Sequence, residues 1–387
     1  MRSAEVVVIG AGVIGASVAY HLALKGCGTV LVLEREGAPG GGSTGRATGG
    51  FRAQFGSEIN VRLSLLSREK LLRFEAELGV DPGYRPCGYL FLADDEAQLE
   101  ALRRAQSVQR AAGFDETREV GPEEVAEINP AVRTGGLAGG SFCATDGFIR
   151  PVEILRGYVA GAERLGVRFE YGVECEGFVL DDKGAIFAVR TGDGEVAAGA
   201  VVNAAGPWAG VVAGEAGIGL PVWPLRRQVA ITHPLDALPE EMPMTVFVED
   251  GFHLRVRDGR VMLLLPDEPQ VADPFDQRVE EAWIGSVLQT ARERVAGLEE
   301  ASIDRERCWA GLYEMSPDGH ALLGKVEEMD NFYVVNGSSG HGVMHAPALG
   351  QLLAEIILDG AASTLDVSAL RPSRFAENRP NLAPTLL

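Results

Sequence analysis

The stretch EVVVIGAGVIGASVAYHLALKG, beginning at Glu5, restricts the fold more than any other part of the chain. Residues 6–9 read as a buried strand. Over 11–25, Ala11, Ile14, Val18 and Leu22 recur at three- and four-residue spacing, which predicts a helix with an apolar face. TVLVLERE then reads as a second strand, 29–33, with an acid at its end. Strand, helix and strand in about 30 residues form a βαβ unit, which implies a parallel sheet. Gly10, Gly12 and Gly15 stand in G-x-G-x-x-G spacing. Gly10 permits the tight turn, Gly12 lets the backbone approach a pyrophosphate, and Gly15 lets helix and strand pack closely. The helix start offers free N–H groups and the positive end of its dipole to phosphates. Glu34, 19 residues after Gly15, stands where an acid binds a ribose hydroxyl. The pattern predicts a bound dinucleotide. The acid disfavours a 2′-phosphate, and NAD and FAD both remain open.

The bulk properties narrow the class. A chain of 387 residues that is 46% hydrophobic can build a large core, and its length suggests two domains. Its formal net charge of −20 repels phosphate backbones, so nucleic acid is not an expected partner. No apolar run reaches the roughly 18–20 residues of a membrane span. The short run at 6–9 lacks the surroundings of a signal peptide. A cytoplasmic, soluble protein is expected. The five cysteines are scattered with no C-x-x-C pair, so no disulfide framework and no metal site is expected.

Beyond the first unit, GAPGGGSTGRATGG is a Gly/Ser/Thr loop in which the backbone bends sharply or approaches something closely. A helix is expected over 58–78, a strand in CGYLFLADD, and helices in EAQLEALRRAQSVQRAAG and VEILRGYVAGAERLG. A strand and β-meander follow, with turns at 181–184 and 191–194, and then a buried strand, 201–204. Short strands dominate 221–265. Helices are expected over 278–295 and 346–358, the latter opened by Pro347 in its first turn.

Three features favour flavin over nicotinamide. Glu34 is followed at once by the glycine-rich loop rather than by another ordinary helix and strand. GAVVNAAGPWAG carries a buried strand into Ala205, Gly206 and Pro207, so backbone can pass close to a flat ligand. NFYVVNGSSGHGVMHAPALG repeats that design, and its loop, 337–342, converges with a helix start on one point. Such a point stabilises negative charge, which a reduced flavin carries at its pyrimidine end.

With VVVIGAGVIGASVAYHLA, STGRATGGFRAQFG, TDGFIRP, VVNAAGPWA, WAGLYEMSPDGHALLG and GSSGHGVMHAPALG in this order, the chain resembles the FAD-dependent amino acid oxidoreductases of the D-amino acid oxidase, glycine oxidase and sarcosine oxidase group. It is most similar to the β-subunits of sarcosine oxidase and of dye-linked proline dehydrogenase. The resemblance covers nearly the whole chain. It implies an α/β fold: a Rossmann-like FAD domain on a parallel sheet of the glutathione-reductase type, and an α+β substrate domain on a mixed sheet. The FAD domain would comprise 1–84, 150–214 and 321–387, the substrate domain 85–149 and 215–320. The implied reaction is oxidation of the C–N bond of a small secondary or N-methyl amino acid, with hydride transfer to flavin and hydrolysis of the imine. A hydroxy-acid dehydrogenase on the same fold, and a flavin-carrying subunit inactive alone, are the alternatives.

Site residues follow from the motif matches. Arg52 matches the family's carboxylate-binding arginine, and its fork suits a carboxylate. Tyr313 matches an active-site tyrosine. His341 lies in the glycine loop beside the expected flavin. One of Phe252 and His253 lines the pocket, the sequence leaving open which, and Phe252 stands among the candidate site residues. FAD contacts are expected from Gly10, Gly12, Val13, Ile14, Gly15, Glu34 and Arg35; from Ser43, Thr44, Arg46 and Ala47; from Val173, Ala205, Gly206, Trp208 and Gly311; and from Gly337, Gly340, His341, Gly342, Val343 and Met344. Met344 stands where monomeric sarcosine oxidase has a second, cationic clamp. Gly311 and Arg46 occupy the places of the residues that bond flavin covalently in monomeric sarcosine oxidase and dimethylglycine dehydrogenase, so FAD is expected to be noncovalent. GRVMLLLP lacks the lysine that activates oxygen in monomeric sarcosine oxidase. Oxygen and a carrier or partner subunit are the possible electron acceptors, and the missing lysine favours the carrier.

Overall fold

The computed structural model describes residues 2–267 and 273–381, so residues 382–387 of the expected FAD segment lie outside it. The first of two large sheets has eight strands. Its main path runs Leu322–Lys325, Phe332–Asn336, Gly194–Asn203, Arg2–Ile9, Val30–Glu34, Arg168–Tyr171. The pairings from Phe332–Asn336 to Arg168–Tyr171 are parallel. Leu322–Lys325 is antiparallel at the edge. Gly177–Leu180 and Ile186–Thr191 form the expected meander onto Gly194–Asn203.

The unbroken apolar run at the start has a simple cause. Val6 and Val8 pack on one side of the sheet and Val7 and Ile9 on the other, into two separate cores. A parallel sheet covered on both faces needs apolar residues at both phases of the strand. On the first side the helix Val13–Leu24 is covered by Gly342–Asp359 and Pro151–Arg164. The crossing with Gly342–Asp359 is backbone-close, since a Cβ on Gly350 would stand 2.1 Å from Ser17 Oγ.

The second sheet also has eight strands, in the order Trp309–Met315, Trp223–Ile231, Arg260–Leu264, His253–Arg257, Met244–Phe247, Tyr89–Ala93, Gly139–Cys143, Thr117–Val120. It is mixed: Met244–Phe247 and Tyr89–Ala93 are parallel, and the other pairs antiparallel. The helix Glu281–Arg294 covers one face through Trp283, Ile284 and Val287, against Leu90, Leu254 and Val256. Every strand of the first sheet falls within 1–84, 150–214 and 321–387, and every strand of the second within 85–149 and 215–320. On that distribution we propose these boundaries as the two domains.

Two helices start three or four residues away from the sequence reading. The helix expected over 278–295 is Glu281–Arg294. The helix expected over 346–358 is Gly342–Asp359, starting four residues earlier, so Pro347 lies inside it. Proline leaves the carbonyl four residues back, that of Val343, without its helical donor. The early start draws the helix N-terminus into the glycine loop itself. Among the described residues no helix is long and apolar enough to cross a membrane.

His21 illustrates how the helical layer is fixed. It is 4% exposed. Its Nδ1 lies 2.8 Å from the Ser17 carbonyl and its Nε2 3.3 Å from Lys70 Nζ, so Nδ1–H donates and Nε2 accepts from the ammonium. Burial, aided by the Lys70 charge, lowers its pKa to about 3. The unfolded chain takes a proton on this ring below about pH 6.5 and the folded chain does not. The stability tied to the neutral ring is therefore complete above pH 6.5 and is lost as pH falls from there towards 3. His21→Gln should flatten the decline of unfolding free energy between pH 6.5 and 4 by about one proton, roughly 1.4 kcal/mol per pH unit. Urea titrations of the apoprotein at several pH values check this. Parallel slopes in variant and wild type would refute it.

Candidate active site

A cavity of about 900 Å³ lies between the C-terminal ends of the parallel strands and one face of the second sheet. Ligands of open α/β sheets bind outside such strand ends. Ile9, Leu33 and Ala204 form its floor, and Val229, His253 and Leu264 are on the opposite wall.

At the floor the opening glycines have separate duties. Gly10 has φ +103°, and a Cβ on it would stand 2.6 Å from the Ala204 carbonyl oxygen. A Cβ on Gly15 would stand 2.0 Å from the Gly10 carbonyl, so Gly15 serves packing and does not line the cavity. Gly12 is different. Its backbone is extended, at φ −68° and ψ 174°. A Cβ there meets only Thr44 Oγ1, at 3.5 Å, an ordinary contact. The fold tolerates a side chain at Gly12, so the reason for glycine lies in the cavity it borders. Val13 and Ile14 also line the cavity, and the Val13 N–H donates to Thr44 Oγ1 at 3.1 Å.

Glu34 lies at the end of its strand with Oε2 accepting from the Ala11 N–H at 2.8 Å and Oε1 from the Glu36 N–H at 3.0 Å. Beside it the Arg35 guanidinium lies 3.7 Å over the Trp208 ring, which stacks on Phe275. Val173 closes this end. The glycine-rich loop supplies Ser43, Thr44, Arg46 and Ala47 to the wall. It is fastened to the second sheet, because Ser43 Oγ donates to the Leu312 carbonyl at 2.7 Å and Trp309 Nε1 donates to the Arg46 carbonyl at 2.8 Å. Ala205 and Gly206 approach from one side; Gly340, Gly342, Val343 and Met344 approach from the start of the C-terminal helix.

Arg52 is 3% exposed and lines the far end. Its Nη1 donates to the Gln54 carbonyl at 2.7 Å and its Nη2 to His341 Nε2 at 3.2 Å. Burial, and then the Arg52 charge, push His341 well below its ordinary pKa. The ring is thus a neutral acceptor that orients the guanidinium. The segment bearing Arg52 is held from two directions. Asp146 Oδ1 accepts from the Ala53 N–H at 2.7 Å, and Arg255 Nη1 donates to the Thr48 and Gly49 carbonyls at 2.9 and 3.2 Å. Tyr313 lines the same end, and burial raises its pKa. Its ring sits on Gly340, where a Cβ would stand 2.6 Å from Cε2. Gly311 keeps the neighbouring strand position free of a side chain and faces Arg46.

Besides Gly15, two expected residues lie outside the cavity. Phe252 is fully buried under Glu281–Arg294, outside the cavity. Strand alternation puts Phe252, Leu254 and Val256 on the helix side and turns His253 to the cavity. His253 Nδ1 donates to the Gly251 carbonyl at 2.8 Å, and burial lowers its pKa to about 4. Gly337 stands behind the wall. Its φ is +72° and a Cβ would stand 2.7 Å from Leu322 Cδ1, so it shapes the loop without facing the cavity.

Among the charged lining residues that the sequence reading does not name are Arg227 and Glu314. In PLRRQV, alternation sends the first arginine, Arg226, into an ion pair with Glu280 and the second into the cavity. Arg227 Nη1 donates to the Asp267 carbonyl at 2.8 Å. The signal for Arg227 is the two-residue period of its strand; Glu314 has no such signal, since it adjoins Tyr313 and both line the cavity.

A parallel sheet with a pyrophosphate-type glycine cradle, facing a mixed sheet across one shared cavity, is the build of a dinucleotide-dependent enzyme. The chain belongs to the FAD dependent oxidoreductase (DAO) family, whose model matches residues 5–356. It is 30% identical over 427 residues to FAD-dependent oxidoreductase domain-containing protein 1 of Xenopus laevis, covering 98% of this chain and 84% of that protein. It is 29% identical over 395 residues to the mitochondrial dimethylglycine dehydrogenase of Mus musculus, covering 97% of this chain and 44% of that protein. The structure of L-proline dehydrogenase from P. horikoshii superimposes with a TM-score of 0.91 at 30% identity, covering 98% of this chain and 100% of that one. The site residues fit FAD: Gly12 leaves room that the fold itself does not require, and buried Glu314 Oε2 has no hydrogen-bond partner among the described residues.

The two opening glycines are separable by experiment. Gly10→Ala should cost about 1–3 kcal/mol of apoprotein stability, through the strained φ and the Ala204 clash. Gly12→Ala should keep the wild-type urea midpoint and bind FAD about tenfold more weakly. Apoprotein unfolding and flavin titration measure the two effects. Equal midpoints for the two variants would contradict the division.

Proposed function

We propose that this chain oxidises the C–N bond of a small secondary or N-methyl amino acid with noncovalently held FAD. The observation that carries the reading is a buried arginine, Arg52, oriented by an uncharged histidine at the end of a cavity that a glycine cradle opens. A desolvated guanidinium on such a wall calls for a carboxylate. The two relatives named for a substrate act on dimethylglycine and on L-proline, which supports an N-methyl or secondary amino acid.

Gly10, Gly12, Val13, Thr44 and the start of Gly342–Asp359 would hold the cofactor's phosphates, and Glu34 its ribose. Bound FAD supplies the two-electron acceptor. Arg52 fixes the substrate carboxylate and so sets which carbon faces the reacting ring; positioning of this kind is the protein's main contribution. Tyr313 bounds the substrate. With Nδ1–H committed to the Gly251 carbonyl and burial disfavouring its charged form, His253 lines the same cavity as a neutral ring whose Nε2 is left as an acceptor for the N–H of a substrate bound as the free amine. The imine product is hydrolysed by water. Gly311 and Arg46 offer no side chain for a flavin bond of the thioether or histidyl kind. The lining cations are all arginines, with no lysine among the lining residues. That supports a carrier or partner subunit over oxygen as electron acceptor.

Anaerobic flavin bleaching across sarcosine, dimethylglycine, glycine and both prolines tests the reading, followed by admission of air in the stopped flow. A secondary or N-methyl amino acid should bleach the flavin, and air should restore the colour slowly. Arg52→Lys should raise the half-saturating concentration by about tenfold to hundredfold, the worth of a hydrogen bond to a charged group. Acid precipitation should leave the yellow colour in solution. No bleaching by any amino acid, with bleaching by a hydroxy acid, would transfer the activity to the alternative substrate class.

A further inference from the structure

Glu314 is the one buried carboxyl among the described residues that line the cavity, and nothing in the proposed chemistry uses it. It lies on Trp309–Met315 next to Tyr313 and is 8% exposed. Its Oε1 accepts from the Ser338 N–H at 3.2 Å. Its Oε2 is buried and has no hydrogen-bond partner among the described residues. The carboxyl occupies a slot between two backbone segments kept clear of side chains. A Cβ on Gly206 would stand 3.8 Å from Oε2, and one on Gly342 would stand 3.6 Å from Oε1. An unsatisfied buried oxygen of this kind is costly and rare, so a donor is expected to meet it.

Its place along the cavity says which donor. The pyrophosphate cradle of Gly12, Val13 and Thr44 lies to one side, reached through Gly342, whose Cβ would stand 3.3 Å from Ile14 Cδ1. Tyr313 and Arg52 lie to the other. The part of FAD that joins its phosphates to its reactive ring is the ribityl chain, a polyol. We propose that Glu314 anchors the ribityl chain of FAD, its Oε2 meeting one ribityl hydroxyl. A phosphate would repel the ionised carboxylate. A hydroxyl suits the group in either form, since it donates to the carboxylate and accepts from the carboxylic acid. Burial raises this carboxyl to about 7, so both forms are populated near neutrality.

The proposal rests on the cofactor assigned above and not on the substrate. Apoprotein is titrated with FAD and with FAD lacking the 2′-, 3′- or 4′-hydroxyl, by quenching of flavin fluorescence. The proteins are wild type, Glu314→Gln and Glu314→Met, the last being apolar and of similar size. Met should bind FAD about tenfold more weakly, roughly one buried hydrogen bond, and Gln should restore most of the affinity. One deoxy analogue should lose about tenfold on wild type and nothing further on Met. Wild-type binding of all three analogues as tightly as FAD would overturn the proposal, whether or not the variants fold. So would a Met variant that shows the same penalty for every analogue. Wild-type apoprotein that takes up no FAD would instead remove the cofactor assignment itself.

Discussion

The contact on which the molecule depends is made by atoms that are not there. At Gly10 the first turn lies against the Ala204 carbonyl, and at Gly15 the helix lies against Gly10. Neither approach leaves room for one more carbon. Because the turn is this tight, Arg2–Ile9 and Gly194–Asn203 can end in register, Ile9 beside Asn203, and Val30–Glu34 ends alongside, Leu33 beside Ile9. The turns after these strands then open on one cavity. The close seat of Gly342–Asp359 on Val13–Leu24 brings a second helix start to the same place.

The substrate end rests on a different constraint, the burial of a cation. Desolvation weakens the charged form of Arg52, and among the described residues no carboxylate is paired with it. Its partners are a carbonyl and a neutral imidazole, with Phe55 and Phe91 beneath it. A guanidinium in these surroundings is under-compensated until an anion arrives. The nearby rings do not compete for that anion. Tyr89 and Tyr313 are pushed further from ionising, and His253 and His341 are pushed from carrying charge.

Much of this was legible in the chain. The βαβ unit, its glycines and Glu34 follow local spacing rules, and strand-glycine-helix order placed the other two turns. Arg52 and Tyr313 were found through motif resemblance, which transfers positions but not directions. The failures share a cause. Phe252 and His253 are adjacent, and one sequence cannot say which phase of a two-residue period faces inward until a helix elsewhere, Glu281–Arg294, covers one side. Arg226 and Arg227 present the same choice. Glu314 was missed because a lone glutamate in an exposed strand looks no different from one in a sealed slot. The start of Gly342–Asp359 was misplaced because Pro347 suits a first turn, whereas here tertiary packing carries it deeper.

The fastening of the glycine-rich loop has a thermodynamic meaning. Ser43 and Arg46 reach the Trp309–Met315 strand, and Arg255 grips the backbone at Thr48 and Gly49. The wall around a bound dinucleotide is therefore shared by both sheets. Free energy released on loading is not confined to the sheet that bears the phosphate cradle. By linkage it adds to the apposition of the two sheets, so loading and docking become one equilibrium. A substitution far from the ring that loosens this seam would then show itself first as lost yellow colour.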